Sequence, residues 1–205
     1  MTVGKRVRSD KKRQVAPTIS IHLADAISRL SYITRTPIKD VAEAICISGI
    51  TSRKVIAHLS VHFHRDVRFK TTVYFGDLSR PSVARKVAAG KTSRISIRFR
   101  AEDFEEIGLL AFALDVSPTR ATALLLDAAI RDGDFLNDYV RTFLVDTLDE
   151  RRMDELKAVM KYLRKNNPFD EDITWSHLLT YIYEEVKDGA QTVADSVGTF
   201  ITRFK

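Results

Sequence analysis

Thr18-Ile19-Ser20-Ile21-His22-Leu23 and Arg94-Ile95-Ser96-Ile97-Arg98-Phe99 share an Ile-Ser-Ile centre and alternate strictly between polar and apolar side chains. Alternation with a period of two sends successive residues to opposite faces, so each stretch predicts a short half-buried strand. In the first, Ile19, Ile21 and Leu23 face inward while Thr18, Ser20 and His22 face outward. The second turns Ile95, Ile97 and Phe99 inward and Arg94, Ser96 and Arg98 outward.

After each strand the apolar spacing becomes helical. Ile27, Leu30 and Ile33 share one face after the first, with Asp25 near the start, where a carboxylate suits the helix dipole. Phe104, Ile107, Leu110 and Leu114 do the same after the second. Thr36-Pro37 and Ser117-Pro118 then each open another helix, the hydroxyl as cap and the proline in the first turn. Val41, Ala44, Ile45 and Ser48 continue the stripe in one copy, Leu125 and Leu126 in the other. Gly49 stands near the end of the former. Strand, helix, helix thus occurs twice, at an offset of 76 to 81 residues (94 − 18 = 76; 117 − 36 = 81). An internal repeat of this kind is the strongest signal in the chain.

These features divide the chain into five parts. Residues 1–16 carry Lys5, Arg6, Arg8, Lys11, Lys12 and Arg13 with almost nothing apolar, which predicts a basic mobile arm. The repeats occupy 17–59 and 93–133. The connector 60–92 is too long to be structureless; Val61, Phe63, Val67, Phe69, Val73 and Phe75 share one parity and predict one or two strands. Ser79 and Pro81 then open a short basic helix ending at Gly90. Residues 134–205 read as an acidic helical region, with stripes at Met153, Leu156, Met160 and Leu163, at Trp175, Leu178, Leu179, Ile182 and Val186, and at Val193, Val197, Phe200, Ile201 and Phe204.

Charge follows the same division. The net +6 of the 205 residues hides 21 Lys/Arg against 6 Asp/Glu in residues 1–100, 21 − 6 = +15. Residues 101–205 hold 12 against 21, 12 − 21 = −9. The basic half attracts a polyanion and the acidic half repels one. No apolar run has the ~18 residues a membrane span requires, and the lone Cys46 has no disulfide partner, so a cytoplasmic protein with no membrane contact is expected. Gly90-Lys91-Thr92 lacks the earlier glycine of a phosphate-binding loop. His64-Arg65-Asp66 lacks the companions of a kinase triplet, and Cys46, His58, His62 and His64 are not at zinc spacing. No catalytic group, metal or cofactor is therefore expected, and the chain reads as a non-enzyme.

A strand and two helices in about 45 residues are too few to bury a core alone, so two copies must pair. Antiparallel strands would bury their apolar sides and expose a polar ribbon of a size that fits the DNA major groove. The duplicated order resembles the ribbon-helix-helix (MetJ/Arc-like) family of DNA-binding proteins over residues 17 to about 52 and 93 to about 132. Both copies lack the glycine usual between the helices, having Arg35-Thr36 and Val116-Ser117. The resemblance implies an α+β fold, mainly α with a short β ribbon, in which two modules pair as a pseudo-dimer beside a helical C-terminal region. It implies that Thr18, Ser20, His22, Arg94, Ser96 and Arg98 read bases. It further implies that Thr36, Lys39, Ser117, Thr119 and Arg120, at the starts of the second helices, hold phosphates.

The function expected is sequence-specific binding of double-stranded DNA by a transcriptional regulator, such as a repressor. The C-terminal helices would form a homo-oligomer or contact a partner protein. An accessory factor in plasmid transfer or segregation and an antitoxin-type repressor are the alternatives, and a structural protein whose basic half binds RNA or acidic proteins is a fourth reading.

Overall fold

The computed structural model describes residues 12–84 and 91–132, together with 135, 139, 155, 156, 158, 159, 161 and 162. Among these the architecture is mixed α+β, with five helices and short antiparallel strand pairs. The order is β1 (Arg13–Val15), β2 (Thr18–Ser20), α1 (Ile21–Thr34), α2 (Ile38–Thr51), α3 (Arg53–Ser60), β3 (Val67–Phe69) and β4 (Thr72–Tyr74). There follow β5 (Thr92–Arg94), β6 (Ile97–Phe99), α4 (Ala101–Leu114) and α5 (Pro118–Ala129).

β1 pairs with β6 and β2 with β5. Val15 faces Ile97 and Thr18 faces Arg94, so Ala16 and Pro17 fall opposite Ser96 and Ile95 on one continuous ladder. Ile95 donates its amide to the Pro17 carbonyl at 3.3 Å, and Ile21 donates to Lys91 at 3.0 Å. Pro17 has no N–H to return, which thins the ladder at that rung and divides each long strand into two short pieces. Val15, Pro17 and Ile19 from one side and Ile95, Ile97 and Phe99 from the other are buried on the inner face.

The first strand lies earlier than its alternation suggests. It starts at Arg13, inside the segment read as a mobile arm, and gives way to α1 at Ile21. Ser20 accepts a hydrogen bond from the Leu23 amide at 3.2 Å and caps that helix. Ile21 is therefore 52% exposed and not inward-facing, whereas Leu23 is buried on the helical face of Ala26, Ile27 and Leu30. An alternating run of three apolar residues fits a strand, but it fits the first turn of a helix as well, and here the cap decides. The shared Ile-Ser-Ile is a false register. The spatial counterparts are 80 apart, as in α1 and α4, which start at Ile21 and Ala101 (101 − 21 = 80) and have 14 residues each.

Both first helices end on a left-handed residue, Arg35 at φ 52° and Asp115 at φ 53°. The left-handed residue turns the chain out of the helix, and the next amide, Thr36 or Val116, closes the end by bonding back to the Ser31 or Ala111 carbonyl at 3.1 and 3.0 Å. The backbone demand a glycine would meet is thus carried by ordinary L residues, one position before the expected Val116. α2 and α5 pack against each other. At their crossing a Cβ on Gly49 would lie 2.4 Å from the Ala129 Cβ, so only glycine allows the approach. Just past the crossing, Ser52 donates to the buried Asp132 at 2.9 Å.

The connector contributes to the same core. α2 ends at Thr51, close to Gly49 as expected, and Ser52 caps the separate helix α3, accepting from the Val55 amide at 3.3 Å. The hairpin β3–β4 turns at Lys70-Thr71, with Lys70 at φ 52°. That turn inverts the parity: Phe63, Val67 and Phe69 are buried, but Val73 and Phe75 point outward and Tyr74 takes the inner place, edge-on to Phe63 and Phe69. Residues 78–84 form turns where a basic helix was expected, because Asp77 accepts both the amide and the hydroxyl of Ser79. Residues 85–90, the rest of that expected helix, lie outside the described residues.

Of the acidic C-terminal region, Leu156 and Val159 are fully buried in this one core, and Arg29 of α1 pairs with Glu155. Arg131 stacks on the Tyr162 ring, 5.0 Å from its centroid. The stripe thus continues Leu156 through Val159; Met153, Met160, Leu163 and both later stripes lie outside the described residues.

Candidate nucleic-acid interface

Because residues of odd number face the core along 15–19 and 95–99, those of even number leave the ribbon on its other side. Gln14 stands opposite Arg98, Ala16 opposite Ser96, and Thr18 opposite Arg94. Gln14, Thr18, Arg94, Ser96 and Arg98 are exposed, and Ala16 is half-buried. The Gln14 amide donates to Ser96 Oγ at 2.8 Å and so lies across the ribbon towards its centre. Neither residues 12–20 nor 91–100 contain a carboxylate, while Lys12, Arg13, Lys91, Arg94, Arg98 and Arg100 are cationic. Arg94 and Arg98 have no hydrogen-bond or ion-pair partner among the described residues.

Four of the six expected base readers, Thr18, Arg94, Ser96 and Arg98, are brought together on this face. The other two stand at the margin of this face or off it, Ser20 as the last residue of β2 opposite Thr92. His22 sits in the first turn of α1, and Ser20 spends its hydroxyl on the cap; both follow from the earlier end of the strand. Sequence reading missed Gln14 and Ala16. The signal that could have found them is the offset of 80, since Gln14 and Ala16 then align with Arg94 and Ser96.

The expected phosphate-holding residues divide unevenly. At α2 the cap position is Pro37, with no side-chain bond. Thr36 is withdrawn into the preceding turn: its amide donates to Ser31 at 3.1 Å and its hydroxyl to Thr34 at 3.2 Å. Neither group is left for an anion. Ile38 and Lys39 instead line a groove with Thr92, Arg94 and Ser96. At α5 Ser117 does cap, accepting from the Arg120 amide at 3.2 Å. Ser117, Thr119 and Arg120 line a second groove with Thr18 and Arg94. Arg120 reaches it partly withdrawn, its Nε donating to the Val83 carbonyl at 2.9 Å and its pKa lowered by burial.

Both second helices therefore bring their first residues, and with them a positive dipole end, to grooves that border the ribbon. A third groove, at the other end, is lined by Lys12, Arg13, Gln14 and Arg98. Lys12 is held there by Glu43 at 2.7 Å and is not part of a free arm. Lys5, Arg6, Arg8 and Lys11 lie outside the described residues.

Cys46 is buried in α2, where desolvation pushes its thiol pKa up, so it is an inert core residue. Among the described residues, no group of three or more His, Cys, Asp or Glu side chains stands close enough to hold a metal ion. Comparison with known proteins finds no matching family model, no matching curated relative and no matching solved structure.

Proposed function

We propose that the chain binds double-stranded DNA by laying the exposed face of its ribbon in the major groove, and that it acts as a transcriptional regulator. The observation that carries this reading is the juxtaposition of Arg94 and Arg98, without a partner among the described residues, with the first residues of α2 and α5 in the grooves that flank the ribbon; the ribbon strands hold no carboxylate, and Asp25 of α1 lines the groove at α2. A ribbon fits the groove, arginine pairs bidentately with guanine, and a helix N-terminus accepts a backbone phosphate.

The fold implied is a tandem ribbon-helix-helix pair, a dimer built within one polypeptide. It is supported by three meetings between residues 80 apart: Ala16 opposite Ser96, Gly49 against Ala129, and Ser52 bonded to Asp132. A two-fold axis brings equivalent residues together only where it passes between them. Three such contacts are what an axis running from the exposed ribbon to the back of the helices would produce, and they support this reading.

The test is a fluorescence-anisotropy titration of the full chain on duplex DNA, single-stranded DNA and duplex RNA. Duplex DNA is expected to bind tightest, with log Kd rising against log salt by about 0.9 per phosphate contacted. The Arg94→Ala, Arg98→Ala double variant is expected to keep its unfolding midpoint and lose most of that binding. Undiminished binding by the double variant would remove the ribbon from the interface.

A further inference from the structure

We infer that the ribbon reads a non-palindromic subsite with one guanine position at each end, Arg98 and Gln14 serving one end and Arg94 and Thr18 the other. The inference rests on the DNA-binding reading above and adds to it the kind of sequence recognised.

The argument is the register. The two arginines come from the same strand, four residues apart, and both point outward. At about 3.3 Å per residue they are separated by roughly 13 Å, or on the order of three to four base-pair steps along the groove. Under the offset of 80 their counterparts on the other strand are Gln14 and Thr18, which are not basic. Among the outward positions 14–18 and 94–98, each end consequently offers one guanidinium, and its second side chain differs: a carboxamide beside Arg98, a hydroxyl and methyl beside Arg94.

The chemistry at each end follows. A guanidinium fork donates to guanine O6 and N7. Gln14 uses one N–H on Ser96 and keeps the other N–H and its Oε1, the donor and acceptor that adenine N7 and N6 require. Thr18 offers its methyl to a thymine or its hydroxyl to any base. The centre, Ala16 opposite Ser96, is short and discriminates little.

Selection of duplexes from a randomised library by the full chain tests this, repeated with Arg98→Ala, Arg94→Ala and Gln14→Ala. The expected motif has two G·C pairs three to four steps apart and an adenine preference beside only one of them. Arg98→Ala should erase the guanine nearest that adenine and Arg94→Ala the other, each weakening binding to the selected duplex roughly 5- to 100-fold. Gln14→Ala should erase the adenine alone. A motif symmetric about its centre, or both arginine variants acting on the same base pair, overturns the inference. Retention of duplex with no motif overturns it while leaving DNA binding intact, and failure to retain any duplex overturns the DNA-binding reading as well.

Discussion

In the first strand-helix-helix segment the side chains leaving the ribbon are Gln14, Ala16 and Thr18; at the same places in the second they are Arg94, Ser96 and Arg98. On the inner face the counterparts are Val15, Pro17 and Ile19 against Ile95, Ile97 and Phe99, all buried. The inner residues share one core and must fill it together, so they remain apolar and differ only in shape. The outer residues are free of that packing demand and differ in charge. Two identical chains would have to present the same residues twice; one chain with two unlike halves is free of that rule.

The core side of this comparison can be broken most severely at Phe99. Phe99→Ala, at a fully buried site, is expected to cost about 3–5 kcal/mol, and Ile19→Ala at the matching position about 2–5 kcal/mol. Urea unfolding of both variants would measure this. A neutral Ile19→Ala would mean that the first strand is not part of the shared core.

The close approach of α2 and α5 offers a sharper and smaller test. Gly49→Ala forces a methyl onto Ala129 and is expected to cost roughly 1–3 kcal/mol, although alanine is the better helix former. Adding Ala129→Gly moves the methyl to the opposite helix and should recover most of the loss. Additive losses in the double variant would show that the two positions are not equivalent.

Least in size is the difference between the two helix starts. Ser117→Ala removes a cap and should cost about 1 kcal/mol, whereas Thr36→Ala should change stability by less than about 0.5 kcal/mol, its hydroxyl bonding only the neighbouring Thr34 carbonyl. Chemical denaturation midpoints of the two variants, compared at equal m, decide between equal and unequal caps.

Much of this was legible beforehand because it is local. The helical faces of Ile27, Leu30 and Ile33 and of Ile107, Leu110 and Leu114 repeat at 3.6 residues, and they form and are buried as their spacing requires. Arg94, Ser96 and Arg98 were legible as outward residues, since alternation assigns faces within a true strand. The first strand was not. Its inner residues include Pro17, which composition alone argues against in a ladder, and its alternation runs on past Ser20 into a helix. The connector's parity failed for a related reason: a turn at Lys70-Thr71 exchanges the faces of every residue after it.

Sequence alone determined the two copies, the type and approximate place of their helices, the basic first half, and which side of the second strand is polar. These are properties of neighbouring residues and their periods. Tertiary structure decided the register of 13–20 against 92–99, which places Gln14 beside Arg98 and takes His22 off the ribbon. It also decided the close crossing at Gly49 and Ala129, and the entry of Leu156 and Val159 into a core that their acidic surroundings did not announce. The reason is physical: a period gives a residue a face, but only packing against the rest of the chain selects the partner across from it.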